Sequence, residues 1–274
     1  MIAASEPLIK TLLIDIDDTA IDSTAAARQA LKYAVAGHPA LEGVDSEDLH
    51  ELFFGILEET HVEWMAGNLA TDDLATVRMF RLVAQLGRDV DPDEAGRLGR
   101  RFRSGHLGAR RPVEGAIKLL EEVRRRGVMV FAVTNNSVAE QEDKLRHCRM
   151  RHLLEGLVAS QEVGIAKPDP RIFSIALDHA GCNRDQAVML GDSWENDVLG
   201  AYSAGINAVW LNRRGRTIPD EGLATEIRSL APAAMVANVL LGERDPAASA
   251  ARPGRAPNHG EHAVAHRLTG LAPE

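Results

Sequence analysis

From Pro112 onward, short apolar runs alternate with helix-length stretches, and that alternation limits the fold more than any other feature of the chain. Residues 128–133, 157–159, 187–190 and 208–211 are too short for helices and are bounded by glycines or polar turns, so they read as buried strands. Between and around them, residues 114–126, 138–147, 171–180 and 195–204 read as helices, the first closed by Gly127. Strands alternating with helices predict an α/β fold: a parallel sheet with helices on both faces. Ligands of such sheets bind beyond the carboxyl ends of the strands, where the strand order reverses. An apolar run at 11–14 supplies one more strand, far ahead of the others.

The polar residues closing these strands carry the chemistry. Run 11–14 ends in Asp15, Asp17, Asp18 and Thr19, and run 128–133 in Thr134-Asn135-Asn136-Ser137. Glu162-Val163-Gly164-Ile165-Ala166 leads to Lys167-Pro168-Asp169-Pro170, and run 187–190 to Gly191-Asp192-Ser193-Trp194-Glu195-Asn196-Asp197. Carboxylates this close repel one another, and burial raises their pKa values unless positive charge sits among them. A hard, oxygen-seeking cation such as Mg2+ meets that need. Taken alone, the first segment leaves a polar turn open, since Asp is common in turns. Asp15 and Asp17 share a face only if the chain stays extended; a turn would part them.

In their order, the four clusters resemble the motifs of the haloacid dehalogenase-like phosphohydrolase superfamily, over about residues 8–215 and most closely over 111–215. The resemblance implies a Rossmann-like sheet with an all-helical cap inserted after the first strand. It implies Asp15 as the nucleophile that becomes an aspartyl phosphate, and Asp17 as the acid and then the base. The implied Mg2+ ligands are the Asp15 carboxylate, the Asp17 backbone carbonyl and the Asp192 carboxylate, with Asn196 and Asp197 orienting water or Lys167. The Thr134 hydroxyl and the Asn135 N–H would hold phosphate oxygens, and Lys167 would add positive charge. One departure is Asp18, which stands where many members carry Gly and is expected to cap the loop. Asp17 argues against dehalogenases and phosphonatases, which lack it, and Thr19 favours a phosphatase over a sugar phosphomutase. The Asp-Asp-Thr form, with residues 160–164 and 209–215, looks like the pyrimidine-nucleotide 5′-phosphatase branch. The expected substrate is therefore a small phosphorylated metabolite, with a nucleoside 5′-monophosphate foremost. A sugar phosphomutase, a phosphoglycolate-type phosphatase and a catalytically silent scaffold are the alternatives.

Residues 22–106 read as helix upon helix, with Leu49, Leu52, Phe53, Ile56 and Leu57, then Leu74, Val77, Phe80, Arg81 and Leu82, at helical spacing. This block is the expected cap, set between core segments 1–21 and 107–242. The resemblance implies Arg78 as its substrate residue, since a similar branch carries an arginine after the turn that Gly67-Asn68 makes here. Residues 243–274, rich in Ala, Pro, Gly, Arg and His, are expected to be disordered. With 31 Lys plus Arg against 40 Asp plus Glu, the formal charge of −9 disfavours a nucleic-acid surface. No signal peptide or membrane-spanning run is visible. Cys148 and Cys182 form no Cys-x-x-Cys pair, so reduced thiols in a cytoplasmic protein are expected.

Overall fold

A computed structural model describes residues 9–220 and 222–243. Six strands form one sheet: β1 (Thr11–Ile14), β2 (Met129–Thr134), β3 (Gly156–Ala159), β4 (Ala187–Gly191), β5 (Asn207–Leu211) and β6 (Ala224–Ile227). All neighbours pair in parallel, in the order β3-β2-β1-β4-β5-β6. The helices are α1 (Ser23–Val35), α2 (Ser46–Met65), α3 (Leu74–Gln85), α4 (Pro92–Ala109), α5 (Ala116–Arg125), α6 (Val138–His147), α7 (Ser160–Val163), α8 (Pro170–Ala180), α9 (Gly200–Ser203) and α10 (Ala233–Leu241).

Strand alternation explains the layers. Leu12, Ile14, Val130 and Leu190 join a core with α5 and α10, whereas Leu13, Val133, Met189 and Trp210 join a second core with α8 and α9. A sheet covered on both faces needs apolar residues on both, and all four residues of β1 are buried. The order reverses at β1, with β2 on one side and β4 on the other. The crevice beyond the ends of β1 and β4 is therefore the topological binding position.

Helices α1 to α4 build their own core, with Phe53 of α2 against Phe102 of α4 edge-to-face at 5.0 Å. Helix α3 crosses α4 so closely that a Cβ on Gly99 would stand 2.8 Å from the Ala75 backbone carbon. Only a glycine permits that crossing. Helix α4 runs unbroken from its Asp91 cap to Ala109, three residues past His106.

The structure departs from the sequence reading at four further places. On α3 the buried stripe is Met79, Leu82 and Val83, while Phe80 is 45% exposed; both phases fit helical spacing, and packing on α4 selects the first. Residues 195–204 are not one helix but a π-helical turn, Trp194–Leu199, followed by α9. Strand β6 and helix α10 were not anticipated. Cys148 is buried and Cys182 half-buried, both as free thiols. Among the described residues no helix is long and apolar enough to cross a membrane. The tail expectation, apart from Glu243, lies outside the described residues.

Candidate active site

The sheet ladder runs one residue past β1, the Asp15 N–H donating to the Leu190 carbonyl at 2.9 Å. The chain then turns back on itself: Ala20 and Ile21 donate to the Ile16 carbonyl, and Asp18 N–H to the Ile21 carbonyl at 2.7 Å. That turn parts the two aspartates. Asp15 faces Lys167 Nζ at 2.7 Å, and Asp17 faces Lys144 Nζ at 2.6 Å. Asp18 takes the left-handed conformation, φ 62°, which Gly adopts freely and Asp tolerates. Its carboxylate accepts from the Thr24 N–H at 2.8 Å, at the start of α1, where Asp22 provides no side-chain cap. Asp18 thus bonds the first turn of α1, where the sequence suggested a cap on its own loop.

Lys167 is buried between two carboxylates, its Nζ also 2.6 Å from Asp197. Burial alone would lower its pKa, but Asp15 and Asp197 outweigh that and hold it raised and charged. The lysine does not satisfy the site. Oxygens of Asp15, Asp192 and Asp197 lie within 4.8 Å of one another. Asp15 is pushed well above the usual carboxylate range, by burial first and by Asp197, Asp192 and Asp17 against the pull of Lys167. Asp192 rises to about 7, through burial and then the charges of Asp197 and Asp18. Surplus negative charge on hard oxygen donors is what a divalent cation such as Mg2+ relieves, so these residues fit the expected metal. The buried Thr19 hydroxyl points at Asp192 Oδ1 from 3.4 Å.

Local folding explains why these carboxylates meet. Trp210 Nε1–H donates to the Asp192 carbonyl at 2.8 Å and packs edge-on against Trp194. In the π-helical turn both Asp197 and Val198 donate to the Ser193 carbonyl. Asp197 is thereby directed inward, where it accepts from Ser193 N–H at 3.0 Å and from Lys167. Wide turns of this kind recur at functional sites. Asn196 is held by its own N–H on Ser193 Oγ at 3.2 Å, and its side chain has no hydrogen bond to the site among the described residues.

Thr134 is buried at the end of β2, its Oγ1 accepting from Gln141 Nε2 at 2.9 Å. The Asn135 side chain makes reciprocal bonds with the Lys167 backbone, 2.7 Å to its N–H and 2.8 Å from Nδ2 to its carbonyl. It thereby fixes the lysine loop against the end of β2.

Asp17 has partners that sequence reasoning did not find. Beyond Lys144, Gln141 Nε2 donates to it at 2.7 Å, and the Ser23 hydroxyl makes a short contact. Burial pushes Asp17 up, but the Lys144 charge and these hydrogen bonds prevail and hold it far below the usual range. With its carboxylate turned to Lys144, Asp17 retains only its backbone carbonyl for the expected metal role. Gln141 and Lys144 share the inward face of α6 with Leu145; polar residues on an otherwise apolar stripe were the available signal.

From the cap, His61 Nε2 lies 3.1 Å from the Asn135 carbonyl oxygen. Arg78 Nε donates to Thr60 Oγ1 at 2.8 Å. His106 stacks on Phe102 and falls to about 4, through burial and then the charges of Lys144 and Arg110. Arg78 is thus held by the neighbour in sequence of His61, and its charge acts on that histidine.

The chain matches the haloacid dehalogenase-like hydrolase family over residues 9–205. It is 37% identical to the pyrimidine 5′-nucleotidase YjjG of Escherichia coli over 132 residues, 48% of this chain and 58% of that protein. It is 28% identical to a glyceraldehyde 3-phosphate phosphatase of Methanopyrus kandleri, over 76% of this chain and 86% of that one. The fold is similar to that of the magnesium-bound HAD-hydrolase YfnB from Bacillus subtilis, with a TM-score of 0.66 at 22% identity, covering 84% and 99% of the two chains. With four motif clusters converging on one crevice and the family matched over most of its length, the chain belongs to the haloacid dehalogenase-like hydrolases.

Proposed function

We propose that this enzyme hydrolyses its substrate in two displacements at phosphorus, with Asp15 as nucleophile and Asp17 as proton carrier. At the coarser level it is a Mg2+-dependent phosphatase of a small phosphorylated metabolite. The observation that carries the reading is a buried Asp15 carboxylate 2.7 Å from the buried Lys167 ammonium, with the buried Thr134 hydroxyl tied through Gln141 to Asp17.

An Asp15 oxygen attacks phosphorus, the ester P–O bond breaks, and the leaving alkoxide takes the proton from Asp17. Water then attacks the aspartyl phosphate, Asp17 takes its proton, and the Asp15 carboxylate departs from inorganic phosphate. Lys167 and the Thr134 hydroxyl bind the phosphoryl oxygens where charge develops. Bound by Asp15, Asp192 and the Asp17 carbonyl, Mg2+ would supply further neutralisation of that charge. Asp17 ionised on Lys144 is the state the second step uses. The first step needs a proton on Asp17, and an arriving phosphate dianion favours its uptake by adding like charge nearby.

A nucleoside 5′-monophosphate is the finer reading, supported by the motif likeness and by the name of the Escherichia coli relative. The test is phosphate release from a panel of phosphorylated metabolites ranked by kcat/KM, with and without Mg2+. Asp15→Asn should abolish release, because an amide does not attack phosphorus, while the fold stays intact. Full turnover after exhaustive chelation, or by Asp15→Asn, would defeat the mechanism.

A further inference from the structure

We propose that the cap side of this site takes an ester whose leaving alcohol carries a carboxylate, seated on the two outer nitrogens of Arg78. The inference rests on the coarser phosphatase reading alone and takes an acid rather than a nucleoside as its leaving group. In-line displacement puts the leaving oxygen across phosphorus from Asp15, and Asp17 must reach it there. Cap groups bordering Asp17 and the Asn135 loop therefore border the leaving group. His61 stands at that border on α2, 3.1 Å from the Asn135 carbonyl, and Arg78, its Nε held by Thr60 at 2.8 Å, is near enough for its charge to act on His61 and His106. The Nη1–Nη2 edge of Arg78 has no hydrogen bond or ion pair among the described residues. That edge offers a carboxylate two parallel hydrogen bonds.

Charge decides the ligand class. Lys144 is matched by Asp17 at 2.6 Å, and Arg110 by Glu140 and Asp143. His61 and His106 are both shifted down, by burial first, and are neutral at pH 7. Burial also lowers Arg78, to about 10, so it stays charged; Glu140, whose charge it feels, is already on Arg110 and 41% exposed. Arg78 is thus a half-buried cation with no ion pair of its own among the described residues. A neutral nucleoside would leave it uncompensated, and a second phosphate brings nearly two charges at pH 7. A carboxylate brings one.

The matched probes are 3-phosphoglycerate and glycerol 3-phosphate, which differ only in carboxylate against hydroxymethyl. With Mg2+, the wild-type kcat/KM should favour the acid by roughly 10- to 100-fold, the range for hydrogen bonds to a charged group. Arg78→Ala should erase that ratio and Arg78→Lys restore part of it. A folding defect lowers both rates together, so the ratio is the readout. Equal rates for the pair, a preference that survives Arg78→Ala, or CMP or UMP outrunning the acid overturns the inference and leaves the phosphatase reading standing. Calorimetry on Asp15→Asn gives the same ratio without turnover, and equal affinities there overturn it too. No turnover of any ester, p-nitrophenyl phosphate included, removes the phosphatase reading and the inference with it.

Discussion

Replacing Lys167 by Met separates the charge of this lysine from its bulk. The ammonium lies 2.7 Å from Asp15 and 2.6 Å from Asp197, with all three side chains at most 10% exposed. Breaking a buried pair by removing one partner costs about 3–5 kcal/mol, since Asp15, Asp192 and Asp197 would be left without it. At about 2–4 °C per kcal/mol for a domain near this size, Tm in chelator should fall by about 6–20 °C. Mg2+ at a hundred times its Kd returns about 2.7 kcal/mol to the form that binds it, so the deficit should shrink on adding metal to the extent that the variant, its carboxylates uncompensated, binds the ion more tightly than the wild type. Acid should shrink it too. An acid whose folded pKa lies above the unfolded value stabilises the fold below the unfolded value, and loses that contribution as pH rises through the folded one. Asp15 is raised and Asp192 sits near 7, so the deficit should grow between pH 5 and 8. Activity should fall about 10²- to 10³-fold, as for loss of one donor to transition-state charge. Differential scanning fluorimetry at pH 5, 7 and 8, with EDTA or Mg2+, tests all of this. A variant within about 2 °C of wild type in EDTA at pH 8 would show that Lys167 does not hold the carboxylates together.

Three shorter predictions follow from neighbouring groups. With Asp192 near 7 in the metal-free protein, protons compete with Mg2+ below that pH, and affinity should fall by up to about tenfold per unit; calorimetry should detect proton release at pH 6 but not at pH 9, and equal release at both would refute it. A Cβ on Gly191 would stand 2.1 Å from Asp197 Oδ2, so Gly191→Ala should displace Asp197 from Lys167 and lower kcat by at least about tenfold; unchanged kcat would contradict that geometry. Asp18→Gly should cost about 1 kcal/mol for the lost cap on α1, and Asp18→Leu about 1–2 kcal/mol more for the left-handed backbone, read by urea unfolding. Equal stability of the two variants would remove the backbone argument.

The parallel sheet was legible because its strands are short, apolar and spaced by helices; residues 138–147 even coincide with α6. The edge was not. Strand β6 is only half-buried, so it lacks the continuous apolar run that marks β1, and α10 follows it without a strand signal nearby. Asp15, Lys167, Asp192 and Asp197 were found as polar residues at strand ends or in loops and do meet in space, while Thr134 is tied through Gln141 to Asp17. Lys144, Gln141 and Ser23 were missed because their chemistry depends on which way Asp17 turns, and that follows from the loop closing on the Ile16 carbonyl. Spacing in sequence left open whether the two aspartates share a face; the turn gave each its own lysine. His61 and His106 sit on helices whose pattern shows only amphipathicity, and the core groups they sense, the Asn135 carbonyl for His61 and the Lys144 charge for His106, are distant in sequence.

In the proposed mechanism those two lysines act in opposite senses. Lys167 is shared by a cluster with surplus negative charge, so Asp15 remains raised and the site attracts metal and positive charge. Lys144 faces Asp17 with Gln141 and Ser23 beside it, so Asp17 is lowered and rests ionised. A carboxylate held so low is a ready hydrogen-bond acceptor for water but a poor store of protons. The acid role therefore needs the balance at Asp17 to change when substrate arrives, and two contacts are positioned to change it. Ser23 begins the first cap helix, and Lys144 faces the crevice that the phosphate dianion enters. A dianion drawing on the Lys144 charge weakens its hold on Asp17, and like-charge repulsion favours a proton there. The same contact that keeps the resting carboxylate ionised thus makes its protonation depend on substrate.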